Sequence, residues 1–408
     1  MFFPVDADEW SKALGQIRRL RHRGNWERIG SSDAYWTKAF FAALVETVDS
    51  LLLEKPDQAF KLSSQGILLA ERIRAEDCPG NSELGKRSLK AWAHAVHGSS
   101  CRCLERFEEA KAAFEQALWL AGKGVFPWAE AEASRRFAAL LWMQGSQACF
   151  SYLDRAFRLY GEHSIGLADT LVLRGFCHQY VRNDLPAASR EMSNALQLLE
   201  PGRSPREART WASAIHNLSV IYAKGHSDLG ILDATLKQIR KAAAALSGRE
   251  VFRRNLCYGV EALLLAPLGS ARMAERLLKR VCRWFFKHGH FHRGALSSID
   301  LAIIHLRGGD KEAALEVVEQ LKAELAKAPP EVRRYVEGWL ENWFRGEAAE
   351  LQAEDLTPIR EAFCLAAFQQ KETAQPLGMI DSPPSGSSPE TVVGVVSPAA
   401  AAEGPVSD

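Results

Sequence analysis

Several short constellations in this chain carry residue types able to do chemistry. Gly80-Asn81-Ser82-Glu83-Leu84-Gly85-Lys86-Arg87-Ser88 comes within one residue of a phosphate-binding loop. In such a loop backbone N–H groups cradle the phosphates, and a Ser or Thr directly after the Lys holds the metal. Arg87 stands where that hydroxyl belongs and no strand pattern precedes the segment, so it reads as a polar loop leading into a helix. His288, His290 and His292 supply imidazoles, which are common zinc ligands, but no Cys or carboxylate follows at ligand spacing. A solvated turn between helices is the expectation there. His94, His97 and Cys101, with Cys103 beside them, share a helix face at i, i+3 and i+7. Buried repeat positions have the same spacing, and a structural role is expected. Arg18, Arg19, Arg21, His22, Arg23 and Arg28 form a basic cluster able to meet phosphates, or to be the wet side of a capping helix; the second is expected.

The nucleophile elbow Gly-x-Ser-x-Gly is missing, as is the zinc-protease pattern His-Glu-x-x-His. The many carboxylates fall within helical patterns and read as solvated surface charges. The chain is therefore expected to be no enzyme, with no metal and no cofactor.

What must position these residues is a set of helices. Apolar residues recur at helical spacing, and no run of alternating β-branched residues competes for strand. An alanine-centred pattern, clearest in Phe107–Leu118, returns at 39-residue intervals from Ala110 to Cys149, from Cys149 to Ala188 and from Ala274 to Ala313, with a looser copy near Ala234. A period of this length marks stacked helical units rather than one compact domain. Seven helix pairs are expected at about 33–77, 84–122, 127–160, 165–200, 206–247, 249–288 and 290–327. Pro79-Gly80, Gly122-Lys-Gly124, Pro201 to Pro205 and Gly308-Gly309 punctuate them, by offering positive φ or by removing a backbone donor. Residues 1–32 are expected to be an N-terminal capping helix with its basic cluster, 33–327 the repeats, 328–371 C-terminal capping helices, and 372–408 a disordered acidic tail. That tail contains six of the 17 prolines and no Lys, Arg or aromatic residue, too little apolar surface to offset its ordering entropy.

Lys plus Arg is 51 against 50 for Asp plus Glu, so net charge gives no global argument for nucleic acid or an anionic membrane. The longest apolar stretch, near Val260–Leu268, is interrupted by Glu261 and is far short of the ~20 residues a membrane span needs. The first residues have neither a basic region nor an apolar core of a secretory leader. The eight cysteines are scattered among apolar positions, as small buried hydrophobes are. Cytoplasm is the expected location.

Ala110 and Ala117 lie on one face two turns apart, Phe114 fills the groove between them, and Gly98 on the partner helix allows close approach. In these four residues the chain resembles the tetratricopeptide repeat (TPR) family. Asn217 to Gly225, with Tyr222 at the aromatic position, and Ala188, Met192, Ala195 and Pro201 extend the resemblance, which covers about 33–327. The period is longer than the family's ~34 residues, and the family's early Trp is missing from most copies. The resemblance implies an all-α, right-handed α-solenoid of about seven antiparallel pairs with terminal caps. It also implies a concave surface lined by the first helix of each pair, and places Arg102, Gln179, His216, Asn217, Lys224 and His305 there. Their types suit hydrogen bonds to a peptide backbone or carboxylate. The expected function is a scaffold or adaptor holding a protein or peptide. A ligand-sensing regulator acting through a partner chain is the second reading. A nucleic-acid-binding repeat ranks below both, because the groove positions carry little positive charge. Oligomeric state is left open.

Overall fold

A computed structural model describes residues 5–328, apart from 123–125, 201–202, 226–227, 247 and 249. Its described residues form helices and turns, with no strand among them. The helices are α1 (Ala7–Arg23), α2 (Arg28–Ser31), α3 (Lys38–Leu51), α4 (Pro56–Arg72), α5 (Glu83–Cys103), α6 (Phe107–Ala121), α7 (Pro127–Met143) and α8 (Cys149–Tyr160). They continue with α9 (Ser164–Tyr180), α10 (Leu185–Gln197), α11 (Pro205–Gly225), α12 (Leu229–Ala245), α13 (Val251–Leu265), α14 (Ala271–Lys287), α15 (Phe291–Arg307) and α16 (Lys311–Leu325). Each odd-numbered helix from α3 to α15 packs against the even-numbered helix that follows it, and each pair packs against the next. The described residues form an α-solenoid of seven helix pairs. No helix among the described residues is long and apolar enough to cross a membrane. The expected C-terminal caps and acidic tail lie outside the described residues.

Local chemistry starts and stops these helices. Thr37, Ser82, Asp184, Asp228 and Asp310 cap α3, α5, α10, α12 and α16, each side chain accepting a hydrogen bond from a first-turn N–H. The near phosphate loop is such a start. Ser82 Oγ accepts from Gly85 N at 3.1 Å, and Gly80 supplies the φ of 69° that the preceding turn needs.

Small residues set how closely the helices approach. Ala110, Cys149, Ala188 and Ala274 of the repeating pattern are fully buried. At two other positions the register is off by one. Ala234 is exposed while Thr235 is buried, and Ala313 is only partly covered while Ala314 is fully buried. The reason is that capping Asp residues fix where α12 and α16 begin, and the buried stripe follows from that start rather than from a fixed period. First helices begin at Lys38, Glu83, Pro127, Ser164, Pro205, Val251 and Phe291, so the repeat is less regular than a strict 39 residues.

Gly98 shows the constraint most plainly. A Cβ placed there would come within 2.8 Å of the fully buried Phe114 ring. Gly175 of α9 repeats the arrangement against Met192, whose Cε would be 2.6 Å away. The Phe114 ring is walled in and stacks on Phe137 with centroids 5.7 Å apart, whereas the methionine end can swing aside. Gly98→Ala is therefore expected to cost about 1–3 kcal/mol and Gly175→Ala distinctly less. Urea unfolding of the two variants tests this, and equal costs would refute the packing argument.

Candidate functional site

The first helices carry a buried cluster of charged side chains. Glu132 of α7 is fully buried. It accepts hydrogen bonds from Arg135 at 2.7 Å, Arg136 at 2.6 Å, the Tyr160 hydroxyl at 2.5 Å and Arg206 at 3.4 Å. Arg136 turns its other edge to α3, making a two-pronged pair with Asp49 at 2.9 and 2.8 Å, and it also donates to Ser99 of α5 at 3.1 Å. Arg206 of α11 grips Asp169 of α9 at 2.9 and 2.6 Å, and Thr210 donates to the same carboxylate. Arg209 reaches Glu46 of α3 at 2.7 Å and Glu250, at the start of α13, at 3.4 Å. Glu54, just beyond α3, accepts the N–H of Phe252 at 2.9 Å, one of the orphan donors of a helix N-terminus. The first helix pair thus touches the third, fifth and sixth through ionised groups.

Burial by itself would push the Glu132 carboxyl up. The charges of Arg135, Arg136 and Arg206 and the Tyr160 hydrogen bond outweigh that and hold it well below the usual carboxylate range. Asp169 is likewise lowered: burial opposes ionisation, but Arg206, Arg135 and the Thr210 hydroxyl prevail. Arg253 of α13 is the exception. Burial, then the nearby charge of Arg209, pull its pKa down against Glu250, Glu54 and Asp49. Its Nη1 is shut off from water and has no acceptor.

The six groove residues expected from the sequence do not form this cluster. Arg102, in the last turn of α5, donates to Met143 Sδ at 3.1 Å, and its Nε has no partner. Gln179 is 6% exposed, with Oε1 unpaired. Asn217 is turned into its own helix, donating to Ser213 O at 2.7 Å. His216 is partly buried on α11, and His305 stands in the last turn of α15 with Nε2 unpaired. The side chain of Lys224 lies outside the described residues.

The other constellations have structural surroundings. His97 bonds Ser63 Oγ at 3.0 Å and faces the Cys101 thiol at 3.6 Å, and Cys101 is core. His288 and His290 stack on Trp284, and burial lowers His292 to about 4. Arg18, Arg19, Arg23 and Arg28 are exposed. Two interhelical clefts, of about 320 Å³ beside Arg254 and Tyr258 and about 510 Å³ beside Trp211 and Tyr222, are lined by none of the clustered charges.

No protein-family model matches the chain, and no curated protein matches it in sequence. Among solved structures it is similar to a Rap protein complexed with Competence and Sporulation Factor. The TM-score is 0.51 at 15% identity, over 80% of this chain and 88% of that one. At that identity the likeness is one of fold.

The reading of carboxylates as solvated surface charge is corrected here, because Glu132, Asp169 and Glu250 find guanidinium partners on other first helices. One signal was available. Glu132, Arg135 and Arg136, and again Arg206, Arg209 and Thr210, stand at i, i+3 and i+4 on first helices otherwise rich in alanine.

Removing one member of a buried pair strands its partners, so Glu132→Gln is expected to cost about 3–5 kcal/mol. Because Glu132 and Asp169 are depressed when folded, their contribution is complete above the ordinary values of 4.5 and 3.8. It is lost as pH falls through the lowered folded values. Urea unfolding from pH 7 down to pH 3 should show a shallower acid decline for Glu132→Gln than for the parent chain. Identical slopes would refute the assignment.

Proposed function

We propose that this chain is a non-catalytic helical-repeat receptor or adaptor that holds a peptide or protein segment along its first helices. One observation carries the reading. Among the described residues, the buried side-chain nitrogens and oxygens that lack a hydrogen-bond partner lie on first helices. They include Arg102 Nε on α5, Ser134 Oγ on α7, Gln179 Oε1 on α9, Ser219 Oγ on α11 and Arg253 Nη1 on α13. Each unsatisfied group costs about 1–3 kcal/mol, and a peptide that parts the packing over the first helices would bring N–H donors to Gln179 and carbonyl acceptors to Arg102 and Arg253. The fold likeness to a Rap protein complexed with Competence and Sporulation Factor supports this reading. The described cysteines are free thiols, which supports a reducing, cytoplasmic setting.

The same geometry favours a sensing role as a second reading. A ligand that engages Arg209 must compete with Glu46 and Glu250. Occupancy would then be linked to how α3 sits against α11 and α13, and a partner chain could read that change.

The experiment is selection from a random dodecapeptide library displayed on phage against the full chain, followed by calorimetric titration of the enriched peptide. Gln179→Leu and Arg253→Leu should each weaken that peptide about tenfold, roughly 1.4 kcal/mol. Gln179→Leu should leave the thermal midpoint of the free chain unchanged or raise it, since it removes an unsatisfied buried amide. Failure of any peptide to enrich, or affinity indifferent to both substitutions, would overturn the proposal.

A further inference from the structure

The cations of the chain are unevenly placed, and α14 is where they concentrate. Its 17 residues carry Arg272, Arg276, Lys279, Arg280, Arg283 and Lys287 against a single carboxylate, Glu275. All six cations are exposed. Glu275 pairs with Lys279 at 2.7 Å, and the Arg280 guanidinium lies over the Tyr258 ring, 4.4 Å from its centroid. Arg272, Arg276, Arg283 and Lys287 make no ion pair among the described residues. Among the other second helices, α12 has three cations to one carboxylate, while α16 has four glutamates to two lysines and α6 has three glutamates to one lysine. In a chain of net charge +1, α14 has the largest excess of cations over carboxylates of the described helices, and its exposed face is basic.

The geometry of that face is a straight stripe. At about 100° per residue the six cations fall within an arc of about 100°, and at 1.5 Å rise Arg272 and Lys287 stand about 22 Å apart. The opposite side of α14, with Ala274, Leu278, Val281, Cys282 and Phe285, is buried in its packing against α13 and α15. No apolar side is left to insert into a lipid surface, which an interfacial helix requires. Met273, 51% exposed at one end, is the large exposed hydrophobic residue of this helix. A protein interface would need an apolar core with its charges at the rim. What remains is a guanidinium-rich line suited to phosphates, which arginine meets in two-pronged fashion. Over about 22 Å one strand of a nucleic-acid duplex presents about six phosphates.

We infer that the exposed face of α14 is a docking surface for the phosphate backbone of duplex nucleic acid. The contacts proposed are to phosphates, which fix position on the duplex and carry no sequence information directly. The surface is separate from the first helices proposed to hold a peptide, so either assignment can fail alone. The sequence ranked nucleic acid low on the charge of first-helix positions, whereas this stripe lies on a second helix.

The test is fluorescence anisotropy of the full chain with a fluorescein-labelled 20-base-pair DNA duplex between 50 and 200 mM salt. Neutralising about four phosphates should give a log–log salt slope of about −4. The triple variant R272Q/R276Q/R283Q should weaken binding at least tenfold at 50 mM salt and make the slope shallower by about 3 units. Its melting curve should be unchanged, since these side chains are exposed. The control R18Q/R19Q/R23Q in α1 should bind like the parent. The inference is overturned if the duplex does not bind, if the α14 variant binds like the parent, or if the α1 variant alone loses binding. Binding of polyglutamate or phosphatidylserine vesicles as tight as that of the duplex would also overturn it.

Discussion

Glu132 holds a negative charge where water does not reach, and the arrangement of the first helices follows from what that charge requires. A buried carboxylate is tolerated only with several donors around it. Here the donors come from its own helix, from Tyr160 at the end of α8 and from Arg206 of α11. Arg136 and Arg206 each take a further carboxylate, which recruits Asp49 of α3 and Asp169 of α9. The chain of obligations ends only when helices from several pairs have been drawn to one place. Alanine faces allow close approach but are too smooth to fix which residue meets which. The two-pronged Arg136–Asp49 pair supplies that register, because its geometry permits little sliding.

The same logic separates the two kinds of helix. Within a pair, contact is set by volume. Gly98 yields to Phe114 and Gly175 to Met192. Gly166 is the point where the two systems meet, since it packs against the Tyr160 ring whose hydroxyl bonds Glu132. Between distant pairs, contact is set by charge. Uncommitted polar atoms collect on the first helices because these are buried on more sides, and a side chain there that misses its partner has no water to replace it.

Second helices, with one face toward solvent, are free to carry charge of either sign at small cost. That freedom lets α14 gather arginines and α16 glutamates without penalty to the fold. Surface charge can therefore vary on the second helices while the charged cluster on the first helices stays unchanged.

Helices, their pairing and the close approach of Gly98 to Phe114 were legible in the sequence, because they rest on spacings of three, four and seven residues and on capping side chains. The basic stripe of α14 was equally legible as spacing. Burial of its other face against α13 and α15 was not, and that burial decides that only charge is offered outward. Which distant residues pair in the ion-pair cluster was beyond reach of sequence. Arg136 and Asp49 are 87 residues apart, and Arg209 and Glu46 are 163 apart. Periodicity records which side of a helix is polar, but a carboxylate facing water and one facing an arginine from a distant repeat look the same in a linear chain. Only the stacking of the pairs, which brings α3 against α7, α11 and the start of α13, tells the two apart.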